Sequence, residues 1–223
     1  MQYIDLHTHL APKATEIQIH NVFAQDLPVQ DNGYFYSAGI HPWHLEHIDT
    51  RECFQKLEHE IRQKNMIAIG ECGLDRSIST DFAIQEKYFI QQALLAEKNS
   101  KPLIIHSVRA YSDLLKIKKE LNPDMPWILH GFLANPETTQ KLINHGFYFS
   151  AGLKLLCNRA NKDVLRIIPD ERLFLETDDS EISIQTIYSF AAQMRLTEEE
   201  LLAETIHNNF KRLFGNNKPT ANN

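Results

Sequence analysis

Short apolar runs rich in β-branched and aromatic residues alternate with longer amphipathic stretches along most of the chain. The runs are "YIDLH", "EIQIHNVF", "YFYSAGIH", "MIAIGE", "PLIIH", "PWILHGF", "FYFSAG" and "RLFLETD", and their length and composition predict eight strands. Between most of them lie helical patterns: "TRECFQKLEHEIRQKN", "DFAIQEKYFIQQALLAEKNS", "AYSDLLKIKKEL" and "NPETTQKLINHG". In the last, Asn135 suits an N-cap, Pro136 the first helical position and Gly146 the stop. Two further helices follow the eighth run, the second expected to open on the capping box "TEEE", with Thr197 and Glu200 satisfying each other's backbone donors. Strand and helix in alternation, eight times over, predict a parallel α/β fold, a (β/α)8 TIM-type barrel. The sequence between "HLAPK" and "YFYSAG" is too short for two full helices, so the first units are expected to be pared down.

A chain of 223 residues with 43% hydrophobic content can bury a large core. Pro and Gly are scattered, so one domain over residues 1–215 is expected, followed by the polar tail "NNKPTANN" at 216–223. No apolar run approaches the roughly 18 residues of a membrane span, and no basic, then apolar, leader is visible. Cys53, Cys72 and Cys157 make neither a disulfide framework nor a metal-type pair. Together these features predict a cytoplasmic protein, monomeric by default, with no protein partner implied. A net charge of −6 offers no broad basic face for duplex DNA. A phosphate-bearing substrate would have to be held by local groups or by metal ions.

The ends of the predicted strands change this picture. His7, His9, His41, Glu71, His106, His130 and Asp178 close six of the runs, and the C-terminal strand ends of such a barrel are where its chemistry gathers. His7 and His9 fall on one face, about 7 Å apart along an extended strand. Imidazoles and carboxylates are the donors that Zn²⁺ and similar ions take. Their number exceeds what one tetrahedral ion with an open position needs, which predicts two divalent metal ions. Cys72, on the opposite face from Glu71, reads as buried filling. Trp43 and Phe132 stand beside these strand ends, where an aromatic ring can stack on a base or pack in the core.

The segments "DLHTHL", "AGIHPWH", "AIGECGLD", "PLIIHSVRA", "WILHGF" and "LFLETDD", in this order, resemble the TatD family of metal-dependent hydrolases, from Tyr3 to about Phe214. Gln85 and Phe89 also keep the spacing usual in that family. The resemblance implies that His7, His9 and Asp178 bind one ion, that Glu71 bridges, and that His106 and His130 complete a second site, with Zn, Mg or Mn as the metals. It implies a phosphodiesterase, notably a deoxyribonuclease trimming DNA ends as a 3′-5′ exonuclease, acting on single-stranded nucleic acid or a nucleotide-like substrate. Asp178 is then the catalytic carboxylate that takes a proton from the attacking water, with Glu71 beside it in the catalytic set. His41 and Arg109 are the substrate-binding candidates, His41 either as a donor to substrate oxygen or as an orienter of a ligand. The chain departs from the family pattern in its short first units, in "ETDDS" for the usual "ETDSP", and in the extra residue of "HSVRA". The second departure leaves Asp178 and Asp179 as alternatives, and the third bears on Arg109. Acyl or phosphomonoester hydrolysis, as in a deacylase of charged tRNA, is the alternative activity, and a non-catalytic metal-binding barrel the alternative class.

Overall fold

The computed structural model describes residues 2–11, 16–29, 33–157 and 161–215. The polar tail expected at 216–223 lies outside them. Eight strands follow one another in sheet order: β1 (Ile4–Thr8), β2 (Ile17–Phe23), β3 (Phe35–Gly39), β4 (Met66–Asp75), β5 (Leu103–Val108), β6 (Trp127–Leu129), β7 (Tyr148–Ala151) and β8 (Leu173–Leu175). They alternate with helices α1 (Thr50–Glu60), α2 (Phe82–Lys98), α3 (Tyr111–Leu121), α4 (Pro136–Asn144), α5 (Leu153–Leu156), α6 (Lys162–Ile167), α7 (Ile184–Arg195) and α8 (Glu199–Phe214). Parallel strands in sequential order, each later one followed by helix, make this a TIM-barrel-type α/β fold. Among the described residues no α-helix lies between β1 and β3, where only a short 3-10 turn, Ala24–Asp26, is present. The short first units expected from the sequence are therefore found. No helix among the described residues is long and apolar enough to cross a membrane.

The chain forms two compact units. One contains Asn21–Trp127, with β3 to β5 and α1 to α3. Its centre is β4, buried at every position, as parallel strands covered on both faces are. The strand runs on past Glu71 to Asp75, further than "MIAIGE" suggested, because Gly73 lets β4 and β5 approach. Gly73 pairs with His106, and a Cβ at Gly73 would stand 1.9 Å from the His106 carbonyl oxygen. Asp49 caps α1 by accepting from the backbone N–H of Arg51 and Glu52, and Asp81 caps α2 through Ala83 and Ile84. Phe89 of α2 meets Trp127 edge to face at 5.3 Å.

The other unit holds the described residues up to His20 and those from Ile128 onward. Asn135 caps α4 by accepting from Thr138 N at 2.8 Å, with Pro136 opening the helix as expected. Phe132 is fully buried and packs on Phe149 at 4.7 Å, so it fills the core and offers no face to a base. The capping box at Thr197 does not form. Leu196 ends α7 in the left-handed region, and the Thr197 N–H donates to Ala192 O. The donor that Glu200 would have accepted is thus already used, and α8 starts after Glu198 without a side-chain cap.

Candidate functional site

In the second unit described, β1 delivers His7 and His9, and the chain leaving β8 delivers Asp178. The backbone ties them. Asp178 N donates to His7 O at 3.0 Å, and His9 N donates to Asp178 O at 3.0 Å. Asp178 is therefore strapped across β1 between the two histidines, at a φ of +56° that Asp tolerates better than most residues. Its Oδ1 lies 3.8 Å from Nε2 of both His7 and His9, and one donor atom from each of the three falls within 4.8 Å of the others. Two imidazoles and a carboxylate at such spacing suit a divalent ion. Asp179, the alternative carboxylate, is exposed and outside this group.

Beneath the group lies Asp5, fully buried. Its Oδ1 accepts from Thr177 N at 2.9 Å and its Oδ2 from the Thr177 hydroxyl at 2.7 Å. Burial pushes the Asp5 carboxyl up to about 7 against these bonds. His130, at the end of β6, stacks at 4.2 Å from His7, with its Nδ1 3.8 Å from the buried Glu176. Glu176 also accepts from Gly131 N. Lys154 Nζ stands 3.5 Å from Asp178 Oδ2, beside a cavity of about 310 Å³ that Glu176, Asp178 and Asp179 help to line.

The other unit carries a second cluster. Glu71 Oε1 lies 3.1 Å from His41 Nε2 and 3.1 Å from His106 Nδ1, and these three side chains also form a metal-capable group. Asn21 fixes Glu71 from below by accepting from its N–H at 2.7 Å. Gln92 clamps the residue before His41, accepting from Ile40 N at 2.7 Å and donating to Ile40 O at 3.1 Å. Gln85 does the same for the end of β4, accepting from Asp75 N at 2.8 Å.

His41 Nδ1 accepts from Trp43 N at 3.2 Å, so a neutral His41 carries its proton on Nε2, toward Glu71. In that form it is a donor toward Glu71. The far nitrogen of His106, Nε2, lies 3.2 Å from Asp75 Oδ2, the arrangement by which a carboxylate orients a ligating imidazole. Burial alone would raise the Asp75 carboxyl, but hydrogen bonds from Ser77, Trp43 and His106 outweigh it and hold it down at about 2. Arg109, at the end of β5, is exposed and belongs to neither cluster.

Sequence reasoning did not assign Asp5, Asn21, Asp75, Gln92 or Glu176. Asp5 shares the parity of His7 and His9, and Asp75 that of Glu71, so period-two reading could have found both. Glu176 ends an apolar run as Glu71 does. Asn21 and Gln92 act on backbone atoms far along the chain and leave no spacing signal.

An uncharacterized metal-dependent hydrolase of Buchnera aphidicola is 35% identical over 161 residues, which is 68% of this chain and 61% of that protein. A 3′-5′ ssDNA/RNA exonuclease TatD of Enterobacter lignolyticus is 33% identical over 64% of this chain and 56% of its own length. The matched stretch thus spans less than two thirds of both relatives. In structure, the TatD homologue YJJV of Escherichia coli K12 superimposes with a TM-score of 0.82 at 21% identity, covering 95% of this chain and 97% of that one. The family described as TatD related DNase matches residues 14–215, and the chain belongs to it.

Proposed function

We propose that the chain is a metal-dependent phosphodiesterase that removes nucleotides from the 3′ ends of single-stranded DNA. The observation that carries this reading is the cluster of His7, His9 and Asp178, whose donor atoms lie within 4.8 Å of one another because the Asp178 backbone is pinned on either side to β1. The exonuclease name of the Enterobacter relative supports the substrate class.

The residues fit a divalent metal in donor type and spacing. His7, His9 and Asp178 would hold one ion, and His130, Glu71 and His106 are the further donors. When bound, such ions acidify water and neutralise charge on phosphate oxygens. Hydrolysis adds water across a P–O bond: the hydroxyl goes to phosphorus, and the departing sugar oxygen gains a proton. Asp178 accepts the proton that the water loses. His41, protonated on Nε2, and the exposed Arg109 are the donors proposed for substrate oxygens. Asp75 holds the His106 ring, and Asn21 holds the Glu71 backbone.

Release of nucleotides from 3′-end-labelled single-stranded DNA tests this, using chelated protein resupplied with Mg²⁺, Mn²⁺ or Zn²⁺, with Asp178→Asn in parallel. Metal-dependent release that the substitution abolishes is expected. Protein that binds metal and releases nothing with any of the three overturns the nuclease reading and directs attention to acyl and phosphomonoester substrates.

A further inference from the structure

The chain has two tryptophans with opposite environments. Trp127 is 1% exposed and Trp43 is 54% exposed. An aromatic ring of that size left in water calls for a reason. Trp43 sits in the short turn Pro42–His44 that follows His41, and it is held from several directions. Its indole N–H donates to Asp75 Oδ2 at 2.7 Å, and its backbone N–H donates to His41 Nδ1 at 3.2 Å. Its ring meets His41 at 4.8 Å and His106 at 5.5 Å, with interplanar angles of 80° and 77°. Asp75 is itself buried and anchored by Ser77, whose N–H lies 2.8 Å from Oδ1. The indole is thus fixed by its polar edge to the same carboxylate that orients His106, while more than half of its surface stays open.

We propose that Trp43 is a stacking platform for a nucleobase of the single-stranded substrate, an inference that rests on the function proposed above. A fixed ring has already given up its rotamer freedom, so little ordering cost remains on binding. Any base presents a π-face, so the contact is sequence-tolerant, as trimming a strand requires. The net charge of −6 leaves little general attraction for the phosphate backbone. Stacking at the reacting end is then a main source of affinity, and Asp75 couples the position of the base to that of His106.

The test measures binding by anisotropy of a labelled single-stranded oligonucleotide, with chelator present so that nothing turns over, alongside steady-state cleavage with metal. The oligonucleotide is compared with one of equal length bearing an abasic 3′-terminal sugar. Trp43→Leu is expected to weaken binding roughly tenfold and to raise KM. The abasic strand should bind wild-type protein about as weakly, and should lose nothing more with Trp43→Leu. Trp43→Phe, which keeps a ring but lacks the indole N–H, should fall between the two, and circular dichroism checks that both variants fold. Equal binding by wild type and Trp43→Leu, or an abasic penalty of the same size in both, overturns the stacking role while leaving the nuclease reading intact if wild type cleaves. A wild-type chain that neither binds nor cleaves the strand overturns both.

Discussion

Replacing Gly73 with Ala tests whether the close approach of β4 and β5 places His106. The added Cβ would stand 1.9 Å from the His106 carbonyl oxygen, 2.8 Å from its carbonyl carbon and 3.0 Å from its nitrogen. All three are backbone atoms, so no side chain can swing aside. Restoring an ordinary contact needs about 1 Å of separation between the strands, and overpacking of this kind costs about 1–3 kcal/mol. Weakening the ladder bonds on either side adds about 1 kcal/mol each. A total of about 3–5 kcal/mol lowers the melting temperature by roughly 6–20 °C in a chain of this size. Gly146→Ala is the control. Gly146 has a φ of +74° with nothing within 4 Å of its Cβ position, so only backbone strain of about 1–2 kcal/mol applies. Thermal melts followed by circular dichroism compare the two, and metal-supported nucleotide release is measured on both at a temperature where each is folded. Gly73→Ala should melt well below Gly146→Ala and lose activity, and Gly146→Ala should retain it. If Gly73→Ala melts within about 2 °C of wild type, the contact does not govern the strand spacing and the reasoning fails.

Phe132→Ala should cost about 3–5 kcal/mol in urea unfolding without raising KM, because Phe132 is fully buried against Phe149; a rise in KM at full stability would contradict its core role. Gln92→Leu strands the N–H and C=O of Ile40, two buried groups worth about 1–3 kcal/mol each when unpaired. Nucleotide release should fall, since the residue lost from its clamp precedes His41, and metal affinity should hold; unaltered kinetics would show that His41 needs no such support. Tyr3 is held protonated up to about 12, first by its hydrogen bond to Glu199 and then by burial. The folded chain thus keeps a proton that the unfolded chain loses above about pH 10, so this stabilisation is complete below pH 10 and is lost as pH rises toward 12. Urea midpoints taken at pH 9, 10 and 11 should show the slope in wild type and a smaller one in Tyr3→Phe.

Much of the fold was legible because parallel strands buried on both faces are short apolar runs, and because the caps at Asn135 and Pro136 are local chemistry. The candidate donors were legible for a related reason: a His or carboxylate ending an apolar run stands out. What the sequence hid is non-local. Asp75 sits beyond two glycine-containing steps that resemble a turn, and the pairing of Gly73, Leu74 and Asp75 with His106, Ser107 and Val108 shows that β4 continues. "ETDD" offers two carboxylates, and the backbone bonds that hold Asp178 beside His7 and His9 reach a segment some 170 residues earlier in the chain. Trp43 and Phe132 looked alike as aromatic residues beside strand ends, yet one is held at the surface by a buried carboxylate and the other fills the core. At Thr197 the local signal misled, because the turn closing α7 takes the backbone donor that the capping box requires.

The most direct test of the central claim, that His7, His9 and Asp178 hold a metal ion, is the metal content of the dialysed protein. Wild type, Asp178→Asn and His9→Ala would be equilibrated with Zn²⁺ or Mn²⁺ and measured by mass spectrometry of the metal against protein concentration. Each variant should bind one ion fewer per chain than wild type, with circular dichroism unchanged. Equal stoichiometry and affinity in all three would contradict the assignment.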